Sequence, residues 1–133
     1  MKQTLLSLFF TLLTAACLQA QVILSENFEG GSVPAGWTSQ TLATDGGWKV
    51  GTASALSSQY WTVTANGSTR IAASNDDACN CDKSQDYLVT PPLDLSSVNA
   101  AVLSVDVFFQ ANVFQNATER LTIEVSTDRK SVV

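Results

Sequence analysis

The stretch VLSVDVFFQ, residues 102–110, places Leu103, Val105, Val107 and Phe109 on one side of an extended chain. A period of two fits a β-strand, since a helix repeats its apolar stripe every three to four residues. RLTIEVST, residues 120–127, repeats the pattern, with Leu121, Ile123 and Val125 on one side and Thr122 and Glu124 on the other. Shorter β-type runs are predicted at 22–28, 36–42, 48–50, 61–64, 70–73 and 86–90. Gly30-Gly31, Asp45-Gly46-Gly47, Asn66-Gly67 and Pro91-Pro92 separate them. Many short strands between turn residues are the signature of an all-β sandwich or barrel.

The first residues, MKQTLLSLFFTLLTAACLQAQ, have the layout of a secretory signal: Lys2, an apolar run at 5–13, then small and polar residues to Ala20. The run is shorter than the roughly 20 apolar residues that a membrane-spanning helix requires. Cleavage is expected after Ala20, leaving 21–133 as one exported domain with no membrane span. The alternative is a lipoprotein, because LTAAC around Cys17 resembles a lipobox, although Thr14 stands where such motifs usually carry Leu.

The formal net charge of −5, with no basic cluster, argues against nucleic acid and anionic membrane surfaces as partners. The sequence has no histidine, so the commonest general base is missing. No Gly-x-Ser-x-Gly elbow, nucleotide loop or histidine-based triad appears. Glu119 and Glu124 would point to opposite faces of a strand. Asp106 and Glu124 could face one another across a hairpin, but surface carboxylates on paired strands are ordinary. No enzyme is expected.

The residues NDDACNCDKSQD, 75–86, form an acidic loop holding Cys79 and Cys81. Structural zinc needs about four Cys or His ligands, which the exported chain lacks. In an oxidising compartment Cys79 and Cys81 are expected to pair, provided that the backbone bends at Asn80. Asp76, Asp77, Asn80, Asp82 and Asp86 offer oxygens of the kind calcium takes, without EF-hand spacing. A solvated acidic loop and a calcium site both remain open on these residues. Trp37 and Trp48 are read as core filling, whereas Tyr60 and Trp61 are candidates for stacking on a ligand such as a sugar. The sequons Asn66-Gly67-Ser68 and Asn116-Ala117-Thr118 are read as turns.

SENFEGGSVPAGWT, residues 25–38, resembles the opening of cleaved-adhesin domains of gingipain-type haemagglutinins. It is similar also to choice-of-anchor J domains of secreted Bacteroidetes-type proteins and, more distantly, to MAM domains. QDYLVTPPLDLS, residues 85–96, looks like the family's Asp-x-Leu-x-(Ser/Thr)-Pro-x-Leu-(Asp/Ser)-Leu signature, and LSVDVFF and LTIEVSTD match its paired central strands. The resemblance implies a jelly-roll β-sandwich with bound Ca2+, used as an adhesive or accessory module. On that carry-over Glu26 or Glu29 and Asp86 are the expected calcium ligands, joined by Asp76 or Asp77. Family domains continue with further strands past the Ser-Thr-Asp motif, so a C-terminally incomplete jelly roll is expected, poorly soluble on its own. The implied partner is a protein or glycan ligand at the cell surface, with other domains of a larger exported protein nearby. The second functional reading is a carbohydrate-binding accessory module of an exported hydrolase or peptidase.

Overall fold

The computed structural model describes residues 21–110, 113–114 and 117–127. The leader with Cys17, Asn116 of the second sequon and the residues after 127 lie outside the described residues. Short antiparallel strands, irregular chain and one helical turn make up the described part, in keeping with an all-β class.

β1 (Thr38–Gln40) pairs with β4 (Tyr87–Val89), setting Thr38 opposite Val89 and Gln40 opposite Tyr87. β2 (Lys49–Gly51) pairs with β3 (Ile71–Ala73), setting Lys49 opposite Ala73 and Gly51 opposite Ile71. β5 (Val113–Phe114) and β6 (Ala117–Thr118) form a third antiparallel ladder. Among the described residues the three ladders are separate two-stranded sheets.

A tight turn between β1 and β2 fixes the first two ladders relative to each other. Gly47 has φ +76°, and a Cβ there would stand 2.8 Å from Thr41 Cβ, so this position is closed to any larger residue. Asp45 accepts a hydrogen bond from Gly47 N at 3.2 Å, and Trp48 N donates to Ser39 Oγ at 3.2 Å. After β2, Thr52 caps α1 (Ala53–Leu56), whose Leu56 packs on the bare face of Gly51. Val63 and Ala73 are buried at the centre, beside buried Asn75. The Asn75 amide donates to Leu56 O at 3.0 Å and accepts from Ala78 N at 3.2 Å, which offsets the cost of burying it.

The predicted strands at 36–42, 48–50, 70–73 and 86–90 overlap β1, β2, β3 and β4. Residues 22–28 and 61–64 join no ladder, for local reasons. The Glu26 carboxylate accepts from Asn27 N and Phe28 N, and Phe28 takes φ 62°, which turns the chain out of an extended course. Trp61 N and Val63 N donate to the hydroxyls of Ser58 and Ser57, so serine side chains take the donors that a neighbouring strand would need.

The long stretches at 102–110 and 120–127 also form no ladder; pairing there is confined to β5 and β6. Their apolar face needs cover from an opposing sheet, part of which an incomplete jelly roll was expected to lack. Leu103, Val105, Val107, Phe109, Leu121 and Ile123 are exposed, and Val102 and Val125 reach 94% and 86%. Alternation gives a strand an apolar face, and a second layer must supply the cover. One aromatic contact ties this region to the rest: Phe108 lies edge-on to Trp61, with ring centroids 5.9 Å apart. Trp37 and Trp48 are half-buried and not fully enclosed; Trp37 meets Phe28 edge-on at 5.6 Å.

Candidate functional site

The loop at 75–86 leaves β3 and returns to β4, so both ends are held by ladders. Its first turn closes on Asp76, whose carbonyl accepts from Cys79 N at 3.1 Å and Asn80 N at 2.7 Å. Asn80 takes φ 49°, a left-handed conformation that asparagine tolerates better than most residues. That bend brings the Cα atoms of Cys79 and Cys81 to 5.2 Å, and a disulfide joins them. Asp82 accepts from Ser84 N at 2.8 Å. The Ser84 backbone N–H, then its hydroxyl, holds the Asp82 carboxyl below the usual range.

The loop ends in a network of charged side chains. Asp86 N donates to Lys83 O at 3.1 Å, and this turn folds the Lys83 side chain back over Asp86. Lys83 Nζ lies 3.3 Å from Asp86 Oδ2 and 2.5 Å from Asp45 Oδ1. Asp86 Oδ2 also accepts from Ser74 Oγ at 2.7 Å, and Asp86 Oδ1 accepts from the Thr41 hydroxyl. Lys49 Nζ adds a second ammonium 3.0 Å from Asp45 Oδ2. Trp48 Nε1 donates to the Asp86 carbonyl at 3.2 Å. The side chains of Lys83, Asp45 and Asp86 are only 10%, 12% and 3% exposed. Chiefly through the Lys83 hydrogen bond, the Asp45 carboxyl is pushed far below the ordinary aspartate value.

The expected calcium ligands are dispersed around this network. Glu29 accepts from Thr69 N at 2.7 Å, from Arg70 N at 3.2 Å and from the Thr69 hydroxyl, tying the first segment to the approach to β3. The Thr69 hydroxyl, followed by the Arg70 N–H, lowers the Glu29 pKa. Glu26 serves its own turn, and Asp76 and Asp77 are exposed on the loop. Partial withdrawal from water, with Asp76 and Asp77 nearby, pushes the Glu119 carboxyl above its ordinary range. Among the described residues, no three of Glu26, Glu29, Asp76, Asp77 and Asp86 bring carboxylate oxygens within 4.8 Å of one another. Calcium takes about 6–8 oxygens at roughly 2.3–2.6 Å, so this arrangement of the five does not fit a common calcium centre.

Asp45, Cys79 and Cys81 do approach one another within 4.8 Å. Both sulfurs are committed to the disulfide and supply no thiolate, while both Asp45 oxygens already face lysines. That cluster is a covalent and ionic brace. A cavity of about 60 Å³ beside it is bordered by Asp45, Lys49, Leu56, Ala73 and Asn75. Ligand pockets measure roughly 300–1,000 Å³, so this one suits water and excludes a sugar ring. Of the candidate stacking residues, Tyr60 is 72% exposed and Trp61 is half-buried against Phe108.

Lys83, Asp45, Thr41 and Ser74 were not singled out from sequence, although Lys83 and Asp86 stand at the i,i+3 spacing that one turn closes. Asp45 was read only as a turn residue. No helix among the described residues is long and apolar enough to cross a membrane. No curated protein and no solved structure matches the chain. The model of the Cleaved Adhesin Domain family matches residues 21–130. This chain therefore belongs to the cleaved adhesin domain family.

Proposed function

We propose that the chain is an adhesin-type module, exported or held at the outer cell surface, that binds a protein ligand and performs no chemistry of its own. The family match over 21–130 carries this reading. The ladders β1–β4 and β2–β3 are read as portions of a jelly-roll sandwich, and cleavage after Ala20 as the route to the exported form. The test is binding of the exported chain to immobilised matrix and blood proteins, with a glycan array run in parallel. Saturable binding to a protein supports the proposal; binding to neither surface defeats it.

A second reading rests on the exposure of Tyr60, whose ring offers a flat apolar face to a pyranose. In that reading the chain is a carbohydrate-binding accessory module. Glycan binding that Tyr60→Ala abolishes, with no protein binding, would select it. Turnover of a labelled polysaccharide by the purified chain would remove both readings in favour of an enzyme.

A further inference from the structure

The family resemblance implies a divalent cation, yet the most enclosed carboxylates of the described site already hold a cation supplied by the chain. Asp86 presents Oδ2 to Lys83 Nζ at 3.3 Å and to Ser74 Oγ at 2.7 Å, and Oδ1 to Thr41. Asp45 presents Oδ1 to Lys83 and Oδ2 to Lys49. The two carboxylates and two ammoniums sum to zero charge. Adding a divalent ion would leave this half-enclosed site with an uncompensated double charge, which a low-dielectric surrounding penalises strongly. The hydrogen bonds are complete as well: among the described residues no buried side-chain nitrogen or oxygen lacks a partner.

We propose that Lys83 is the built-in counter-ion of this junction. Its ammonium, held between Asp45 and Asp86, ties the β1–β2 turn to the start of β4 in the way a bound metal would, and the domain folds without calcium. The geometry places Lys83 well for the task, because the turn from Lys83 O to Asp86 N makes lysine and carboxylate local partners. Of the two carboxylates that Lys83 meets, Asp45 is the one recruited from a distant part of the chain.

The experiment is thermal unfolding of the exported protein in about 5 mM calcium and in excess chelator, above the roughly 10⁻⁴–10⁻³ M range of extracellular calcium modules. The wild-type Tm should agree between the two conditions within about 2 °C, because a ligand that does not bind the native state gives no stabilisation by mass action. Lys83→Met should lower Tm by roughly 10 °C or more in both conditions, by leaving two enclosed carboxylates short of their shared cation. A wild-type Tm that rises with calcium overturns the proposal, and so does a Lys83→Met protein that melts like wild type. Should Lys83→Met fail to fold, the wild-type comparison still decides. Lys83→Arg then supplies the second reading, because it keeps the charge and should melt close to wild type in both conditions.

Discussion

Between β1 and β4 the chain encloses ions, whereas at 102–107 and at 125 it exposes valines. In the first region Lys83, Asp45 and Asp86 are nearly out of solvent, and each has charged or hydroxyl partners. In the second, Val102, Val105, Val107, Ile123 and Val125 lie on the surface although their sequence has the clearer strand pattern. The contrast teaches that amphipathic alternation is a demand for a partner layer and supplies none itself. The ion network, by contrast, is completed within the chain by residues from four short segments. Fixity in this molecule follows the supply of partners, and the two regions can be told apart by perturbing each.

The largest effect is expected from Asp86→Ala. It deprives Thr41, Ser74 and Lys83 of a common acceptor, and breaking an enclosed ion pair from one side costs about 3–5 kcal/mol. Denaturant unfolding should report that loss, and a change below about 0.5 kcal/mol would mean that the network is solvent-screened and idle. Asp45 adds a pH signature. Its folded-state pKa is depressed, so the stability it contributes is complete above the ordinary value of 3.8 and drains away as pH falls below that value. An acid titration of stability should be shallower there in Asp45→Asn.

Trp61→Ala addresses the junction between the two regions. Among the described residues the Trp61–Phe108 contact is the aromatic link joining them, and such a pair is worth about 0.5–1.5 kcal/mol beyond the area it covers. Limited proteolysis should then cut sooner within 101–110 while the β1–β4 and β2–β3 region persists. Equal cutting in both regions would show that they unfold as one unit.

How far the sequence revealed all this follows the same division. β1 to β4 were legible because Gly46-Gly47, Asn66-Gly67 and Pro91-Pro92 punctuate them, and turn chemistry is local. The non-pairing of 22–28 and 61–64 was not legible, since it depends on Glu26, Ser57 and Ser58 competing for backbone donors. The bend at Asn80 could be read from two cysteines one residue apart. The Lys83 network could not, because Thr41, Asp45 and Ser74 reach it from separate segments, and the family resemblance pointed to an external cation for these carboxylates.

Replacing Cys79 and Cys81 by serine together tests the loop brace. A bridge spanning one intervening residue restricts the unfolded chain little, and loop-entropy scaling gives about 1–2 kcal/mol. Intact mass of the exported protein should lie about two units below the reduced form, as one bridge requires. Thiols that label without reductant would remove the brace.

Val105→Ser with Ile123→Ser should change stability by no more than about 0.5 kcal/mol, as exposed positions do. The same pair should reduce light scattering on concentration, because exposed apolar strand-like segments promote association. A loss of several kcal/mol would show that these residues are covered in solution, and the contrast between the regions would collapse.

The smallest effect lies where the two regions repel. Glu119, just beyond β6, has its carboxyl pushed up by partial withdrawal from water and by Asp76 and Asp77 of the loop. A raised folded-state pKa means that the folded protein favours the protonated acid. The stabilising share is therefore complete below the ordinary glutamate value of 4.5 and is lost as pH rises through the raised one. Glu119 is exposed, so solvent screening limits the effect to a few tenths of a kcal/mol. Glu119→Gln should recover that amount at neutral pH and flatten the stability profile just above pH 4.5, in a window separate from that of Asp45. A wild-type profile that is already flat there would show that the loop and the C-terminal region do not approach in solution. The Trp61–Phe108 contact would then join 101–110 to the rest of the domain without an opposing repulsion.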